Sequence, residues 1–172
     1  ELKETIERFS KSKSHITGIP SGFPDLDRLT TGFHGGELII IAGRPGMGKT
    51  SFALSIAKYV AQREGLPVGI FSLEMTKEQL ALRLLSFISK VPLQDLRLGR
   101  LTQEQREILE ESFKVLQELP IYIDDSAGLS TTDLRVKAMR MKKEKGVQLL
   151  IVDYLQLLRG VKRYSSRQEE VA

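Results

Sequence analysis

The chain has 172 residues, with 26 Lys plus Arg against 22 Asp plus Glu, a net charge of +4, 41% hydrophobic residues and neither Cys nor Trp. This length suits one α/β-sized domain that buries roughly 70% of its unfolded surface unaided, and the absence of thiols excludes disulfides, zinc–thiolate sites and a Cys nucleophile. The small positive charge permits a nucleic-acid partner without requiring one, since a solvated surface carries the same excess.

Leu2, Ile6 and Phe9 share one helical stripe, which predicts a short amphipathic helix from Leu2 to about Ser12. Residues 14–22 are rich in turn formers and lack periodicity, so residues 1–18 read as a helix plus linker and 19–172 as the main domain. Four aliphatic runs follow, Leu38–Ala42, Val68–Leu73, Ile121–Ile123 and Leu149–Val152, each expected to be a strand buried on both faces as in parallel sheets. Between them helices are expected over Lys49–Arg63, Thr76–Ser89, Thr102–Glu118 and about Thr132–Lys145. Thr76 with Gln79, and Thr102 with Gln105, have capping-box spacing. The order β-α-β-α-α-β-α-β predicts an α/β fold with a three-layer parallel sheet. The longest apolar run, Leu38–Ala42, falls far short of the roughly 20 residues that span a bilayer. The start, Glu1-Leu2-Lys3-Glu4, does not read as a signal peptide, so a cytoplasmic protein without a membrane partner is expected. Ser166 to Glu169 repeats the capping spacing and helix formers continue to Ala172, which predicts a fragment of a longer protein, incomplete at its C-terminus.

Gly43-Arg44-Pro45-Gly46-Met47-Gly48-Lys49-Thr50 fits G-x-x-x-x-G-K-[ST], between an expected strand and an expected helix. Glycines let successive backbone N–H groups turn inward around a phosphate, and the helix N-terminus adds positive potential. Lys49 would neutralise the β and γ oxygens and the Thr50 hydroxyl would ligate Mg²⁺. Asp153 ends the aliphatic run Leu149–Val152 in the manner of a Walker B acid. Tyr154 follows it, so the group acting on the attacking water must come from elsewhere. Glu74, directly after the second run, emerges at the carboxyl edge of a parallel sheet and is the candidate base; from position alone it also suits a helix N-terminal carboxylate. Asp124 and Asp125 end the third run and read as turn-forming residues more readily than as site residues. His15 and His34 have no partner at metal-ligand spacing.

Several of these segments together resemble one family. Ile19-Pro20-Ser21-Gly22-Phe23, Leu26-Asp27, Thr31-Gly32-Phe33, the run Gly36 to Thr50, Phe71-Ser72-Leu73-Glu74-Met75 and Ile151-Val152-Asp153-Tyr154-Leu155-Gln156-Leu157 are similar to the C-terminal motor domain of DnaB-type bacterial replicative helicases. The resemblance implies a RecA-like P-loop fold and a homohexameric ring. Such a ring translocates on single-stranded DNA and unwinds duplex at the replication fork by hydrolysing ATP with Mg²⁺. Carried onto this sequence, it makes Glu74 and Lys49 catalytic, Thr50 and Asp153 the metal residues, and Gly43 to Ser51 with Arg83 the nucleotide-binding set. Arg83 falls where the family places a residue against the nucleotide base; a helix-surface Arg is the other reading. Leu2–Ser12 corresponds to a linker helix packing on the adjacent subunit, and primase and a helicase loader are the implied partners. Lys162, Arg163 and Arg167, with Arg159, lie where a DNA-contacting loop would begin, or form a solvated loop. Most DNA loops and the trans arginine finger would lie beyond Ala172, so the isolated fragment is expected to be weakly active or inactive. The alternatives are another RecA-like ATPase, RadA-like or KaiC-like, or a nucleotide- or partner-binding module without turnover. Asp153-Tyr154-Leu155-Gln156 and the Phe-bearing Ser21-Gly22-Phe23 and Thr31-Gly32-Phe33 elements favour the helicase.

Overall fold

The computed structural model describes residues 16–158. The expected helix over Leu2–Ser12, His15, the basic residues Arg159, Lys162, Arg163 and Arg167, and the Ser166–Glu169 spacing lie outside the described residues. The chain divides into two compact units between Lys49 and Thr50.

In the first unit, Ile19 and Phe33 form an antiparallel bridge, each N–H donating to the other's carbonyl at 2.8 Å. The N–H groups of Thr17 and Gly18 both donate to the Thr31 carbonyl at 2.9 Å. Residues 17–19, aperiodic in sequence, are thus bonded to Thr31 and Phe33. Gly18 is required by this approach, because a Cβ there would stand 2.6 Å from the Phe33 oxygen. The intervening helix α1 (Pro24–Thr30) begins with Pro in its first turn and ends on Thr31 in the left-handed region. Asp27 is buried, its Oδ1 accepting from the Ser21 N–H at 2.7 Å and the Ser21 hydroxyl at 2.6 Å, and its Oδ2 from the Gly22 N–H at 3.3 Å. Three donors offset the cost of taking that carboxylate out of water.

Leu38–Ala42 does not form the expected buried strand. It joins no ladder among the described residues, and Leu38 and Ile40 are 84% and 73% exposed. The reason is physical: an aliphatic run becomes a buried strand only where a neighbour takes up its N–H and C=O groups and layers cover its faces.

The second unit holds most of α2 (Lys49–Arg63), then β1 (Val68–Ser72), α3 (Lys77–Ser89), α4 (Leu93–Leu98) and α5 (Gln103–Glu118). These are followed by β2 (Ile121–Asp124), α6 (Thr131–Lys145), β3 (Leu149–Asp153) and a 3₁₀ turn at Leu155–Leu157. The sheet is open and parallel, ordered β2-β1-β3, with Val68 beside Ile121 and Leu149, and Ser72 beside Asp153. Both sequence-read capping boxes form, Thr76 with Gln79 and Thr102 with Gln105. A third, Ser130 with Asp133, starts α6. β1 is buried at every position, whereas β2 is half-buried and Leu150 of β3 is exposed. Burial on both faces thus holds only for the strand with a neighbour on either side.

One face of β1 carries Gly69 and Phe71. Phe71 packs with Leu129 and Leu158, and Leu134, Ala138 and Met141 of α6 lie against them. Beside the sheet, Leu85, Val91 and Leu109 make a second core joining α3 to α5, with Leu96 of α4 against it. Gly69 has no room for a side chain: a Cβ would meet Leu150 at 3.0 Å, Met141 at 3.2 Å and Val147 at 3.3 Å. α6 is also fastened electrostatically, since Lys137 Nζ donates to Asp124 Oδ2 at 2.6 Å and to the Ser126 hydroxyl at 2.7 Å. Burial pushes the Asp124 carboxyl up, but the hydrogen bonds from Lys137 and Ser126 and the Lys137 charge outweigh it and hold the group below its ordinary value.

Two outcomes follow from this packing. Gly69→Val should cost about 1–3 kcal/mol by overpacking, read as a lowered denaturation midpoint at unchanged m value. Because the folded-state pKa of Asp124 is depressed, its stabilisation is complete above the unfolded value of about 3.9 and is lost as pH falls through the lower folded value. The melting-temperature gap between the natural chain and Asp124→Asn should therefore be widest above pH ~5 and narrow as pH falls below the unfolded carboxylate value. A gap constant with pH would deny the pair this role.

Candidate active site

The loop Gly43–Lys49 belongs to the first unit. Gly46 and Gly48 take φ of 77° and 86°, which side chains rarely adopt, and the Met47 N–H donates to the Arg44 carbonyl at 3.2 Å. The Lys49 ammonium donates to the Gly43 carbonyl at 2.9 Å and the Arg44 carbonyl at 3.3 Å, closing the loop over its own backbone. Gly43 to Gly48 are all exposed, Pro45 and Met47 included.

In the second unit, the Thr50 hydroxyl donates to Asp153 Oδ2 at 2.7 Å, bringing together residues 103 apart in sequence. Thr50 lies in the first turn of α2 and Asp153 ends β3, buried at 9% exposure. One hydroxyl and one carboxylate make a hard-oxygen pair that suits Mg²⁺, which keeps several waters and takes phosphate oxygens for the rest of its six positions. Among the described residues no group of three or more His, Asp or Glu gathers as an all-protein cage.

Arg83, on α3, donates from Nη1 to the Ser51 hydroxyl at 3.4 Å. Its Nε is the single buried side-chain polar atom among the described residues that lacks a hydrogen-bond partner, so the guanidinium has a donor to spare beside the first turn of α2. Glu74 is exposed, two residues beyond β1 at the carboxyl edge of the sheet. The turn that carries it is closed by the Ser72 hydroxyl, which donates to the Met75 carbonyl at 2.6 Å and accepts from the Met75 N–H at 3.2 Å.

Asp124 and Asp125 serve structure, as turn chemistry suggests. Asp124 accepts from the Ser126 N–H at 3.0 Å in addition to Lys137, and Asp125 accepts from the Lys77 N–H at 2.9 Å, ahead of α3. His34 bonds Thr17 through Nε2 at 2.8 Å and approaches Glu37 at 3.5 Å on an exposed surface. Sequence reasoning missed the Ser72 bonds, although a Ser three residues before Met75 at a strand end is a recognisable ST-turn. It also missed the pairing of Arg83 with Ser51, for which spacing carried no signal.

Among the described residues no helix is long and apolar enough to cross a membrane. The chain is 45% identical over 170 residues to the replicative DNA helicase DnaC of Bacillus subtilis (strain 168), and 44% identical over 170 residues to the replicative DNA helicase DnaB of Geobacillus stearothermophilus. Each alignment takes in 98% of this chain and 37% of the relative, so the chain spans little more than a third of those proteins. The fold superposes on a solved ATPase domain with a TM-score of 0.89 at 34% identity, covering 98% of this chain and 61% of that one. It also superposes on a DnaB-like replicative helicase solved in a study of its interactions with primase, with a TM-score of 0.89 at 33% identity, covering 99% of this chain and 42% of that one. The P-loop, the Thr50–Asp153 pair and the parallel sheet occur in many ATPases, but the model of the DnaB-like helicase C terminal domain matches residues 18–172, and to that family this chain belongs.

Proposed function

We propose that this chain is the ATP-hydrolysing motor segment of a bacterial replicative DNA helicase, working in the cytoplasm as part of a homohexameric ring on single-stranded DNA. The observation that carries the reading is the 2.7 Å bond between Thr50 and Asp153, the metal-holding pair of a P-loop motor, in a chain matched to this family from residue 18 onward. The names of the relatives support the replicative role, and primase and a helicase loader are the partners proposed with it. The division into a linker helix and linker over 1–18, the helix docking on the neighbouring subunit, and a motor over 19–172 belongs to the same proposal.

Backbone N–H groups of Gly43, Arg44, Gly46 and Gly48 would cradle the phosphates, with Pro45 and Met47, whose N–H bonds the Arg44 carbonyl, shaping the loop and Lys49 neutralising their charge. Thr50 and Asp153 would hold Mg²⁺, which when bound screens the β and γ oxygens. Ser51 and Arg83 would hold the rest of the nucleotide, the spare Arg83 donor taking an acceptor on it. Glu74, exposed in the same unit as Thr50 and Asp153, would accept the proton of the attacking water. Lys162, Arg163 and Arg167 are proposed to meet DNA phosphates, on charge alone.

The full-length protein tests the assignment. Lys49→Ala should weaken binding of a fluorescent ATP analogue. Glu74→Gln should bind it normally and hydrolyse ATP about 10²–10⁴-fold more slowly, because a carboxamide cannot accept the proton. Full turnover by Glu74→Gln would remove Glu74 from the base role, and failure of the intact protein to unwind forked DNA with ATP would overturn the helicase reading.

A further inference from the structure

We infer that Ser72 and Asp125 are positioning residues that fix the backbone carrying Glu74; the inference rests on the reading of Glu74 as the base. The turn between β1 and α3 is fastened from three separate elements. From below, the Ser72 hydroxyl, 1% exposed, uses both its donor and its acceptor on Met75, at 2.6 Å and 3.2 Å. From β3, the carbonyl of Asp153 accepts the Leu73 N–H at 2.8 Å. From the segment after β2, Asp125 Oδ2 accepts the Lys77 N–H at 2.9 Å.

These bonds fall on Leu73 and Met75, the two residues flanking Glu74, and on Lys77 at the far end of the turn. The capping box of Thr76 and Gln79 already starts α3 locally, so the Asp125 bond adds an anchor across 48 residues of chain. Four hydrogen bonds from three places thus converge on the five residues Leu73 to Lys77 and restrain the backbone on both sides of Glu74. Leu73 is moreover tied to Asp153 itself, so the backbone that bears the base and the residue that pairs with Thr50 share one hydrogen bond. A base must lie within hydrogen-bond reach of the water it deprotonates, and a misplacement of about 1 Å costs on the order of 10²-fold in rate.

The test uses the full-length protein with Ser72→Ala and Asp125→Ala, each alone and combined with Glu74→Gln, and with Ser72→Thr as the variant that keeps the hydroxyl. Expected are a KM for ATP and a Kd for a fluorescent ATP analogue within about twofold of the natural protein, and a kcat lowered about 10- to 100-fold. In the Glu74→Gln background neither substitution should slow the residual rate further, and Ser72→Thr should recover most of the turnover. If Ser72→Ala does not fold, Asp125→Ala, at a half-buried position on the rim, decides alone. Full kcat in the folded variants while Glu74→Gln is inactive would overturn the inference and leave the base reading standing. Losses that multiply in the Glu74→Gln background, or affinity falling in step with kcat, would also overturn it. Full turnover by Glu74→Gln alone would overturn the base reading, and the inference with it.

Discussion

Of the three parallel strands, Val68–Ser72 alone has a neighbour taking up its backbone groups on each edge and side chains covering both faces, the setting in which a parallel strand is held most firmly. Its position constrains the rest of the second unit. Gly69 lets Met141 of α6 and Leu150 of β3 close over one face, and Phe71 anchors the core beneath α6. Register with β2 and β3 then brings Asp124 beside Phe71 and Asp153 beside Ser72, so the carboxyl ends of all three strands form one edge. The proposed chemistry lies along that edge because loops leaving it are free of the ladder while their roots are not.

Four acidic residues occur at or just beyond these strand ends, and their partners divide the work among them. Asp124 faces the Lys137 ammonium and locks a helix, while Asp125 accepts a backbone N–H and holds a turn. Asp153 accepts from the Thr50 hydroxyl, and Glu74 stands exposed. A carboxylate committed to a lysine cannot serve as a base, and one open to water can. The surroundings thus separate Asp124 and Asp125, which hold a helix and a turn, from Asp153 and Glu74, the two proposed for chemistry, where residue type does not.

Much of the helical architecture was legible because it is local. The α2 limits, Lys49–Arg63, match those expected from periodicity, and the caps at Thr76 and Thr102 use only residues three apart. The cap at Ser130 carries a weaker signal because Asp133 stands where Gln or Glu usually does, and α4, with six residues, is too short for a 3.6-residue period to register. Leu38–Ala42 marks the limit of the same method: its side-chain pattern matches β1's, yet no strand among the described residues pairs with it.

What the sequence by itself determined are the features written in contiguous residues: the phosphate-loop motif from Gly43 to Thr50, the order of α2, β1, α3, α5, β2, α6 and β3, the capping boxes at Thr76 and Thr102, and the family to which residues 18–172 conform. Only the tertiary structure decided which strand is central, that Thr50 meets Asp153, that Arg83 reaches Ser51, and that Ser72, Asp125 and Asp153 converge on the turn bearing Glu74. The physical reason is range. Torsional preference and capping act over three or four residues, and a sequence displays them directly. A hydrogen bond across 103 residues exists only after a sheet has chosen its register, and that choice is made by packing over the whole unit.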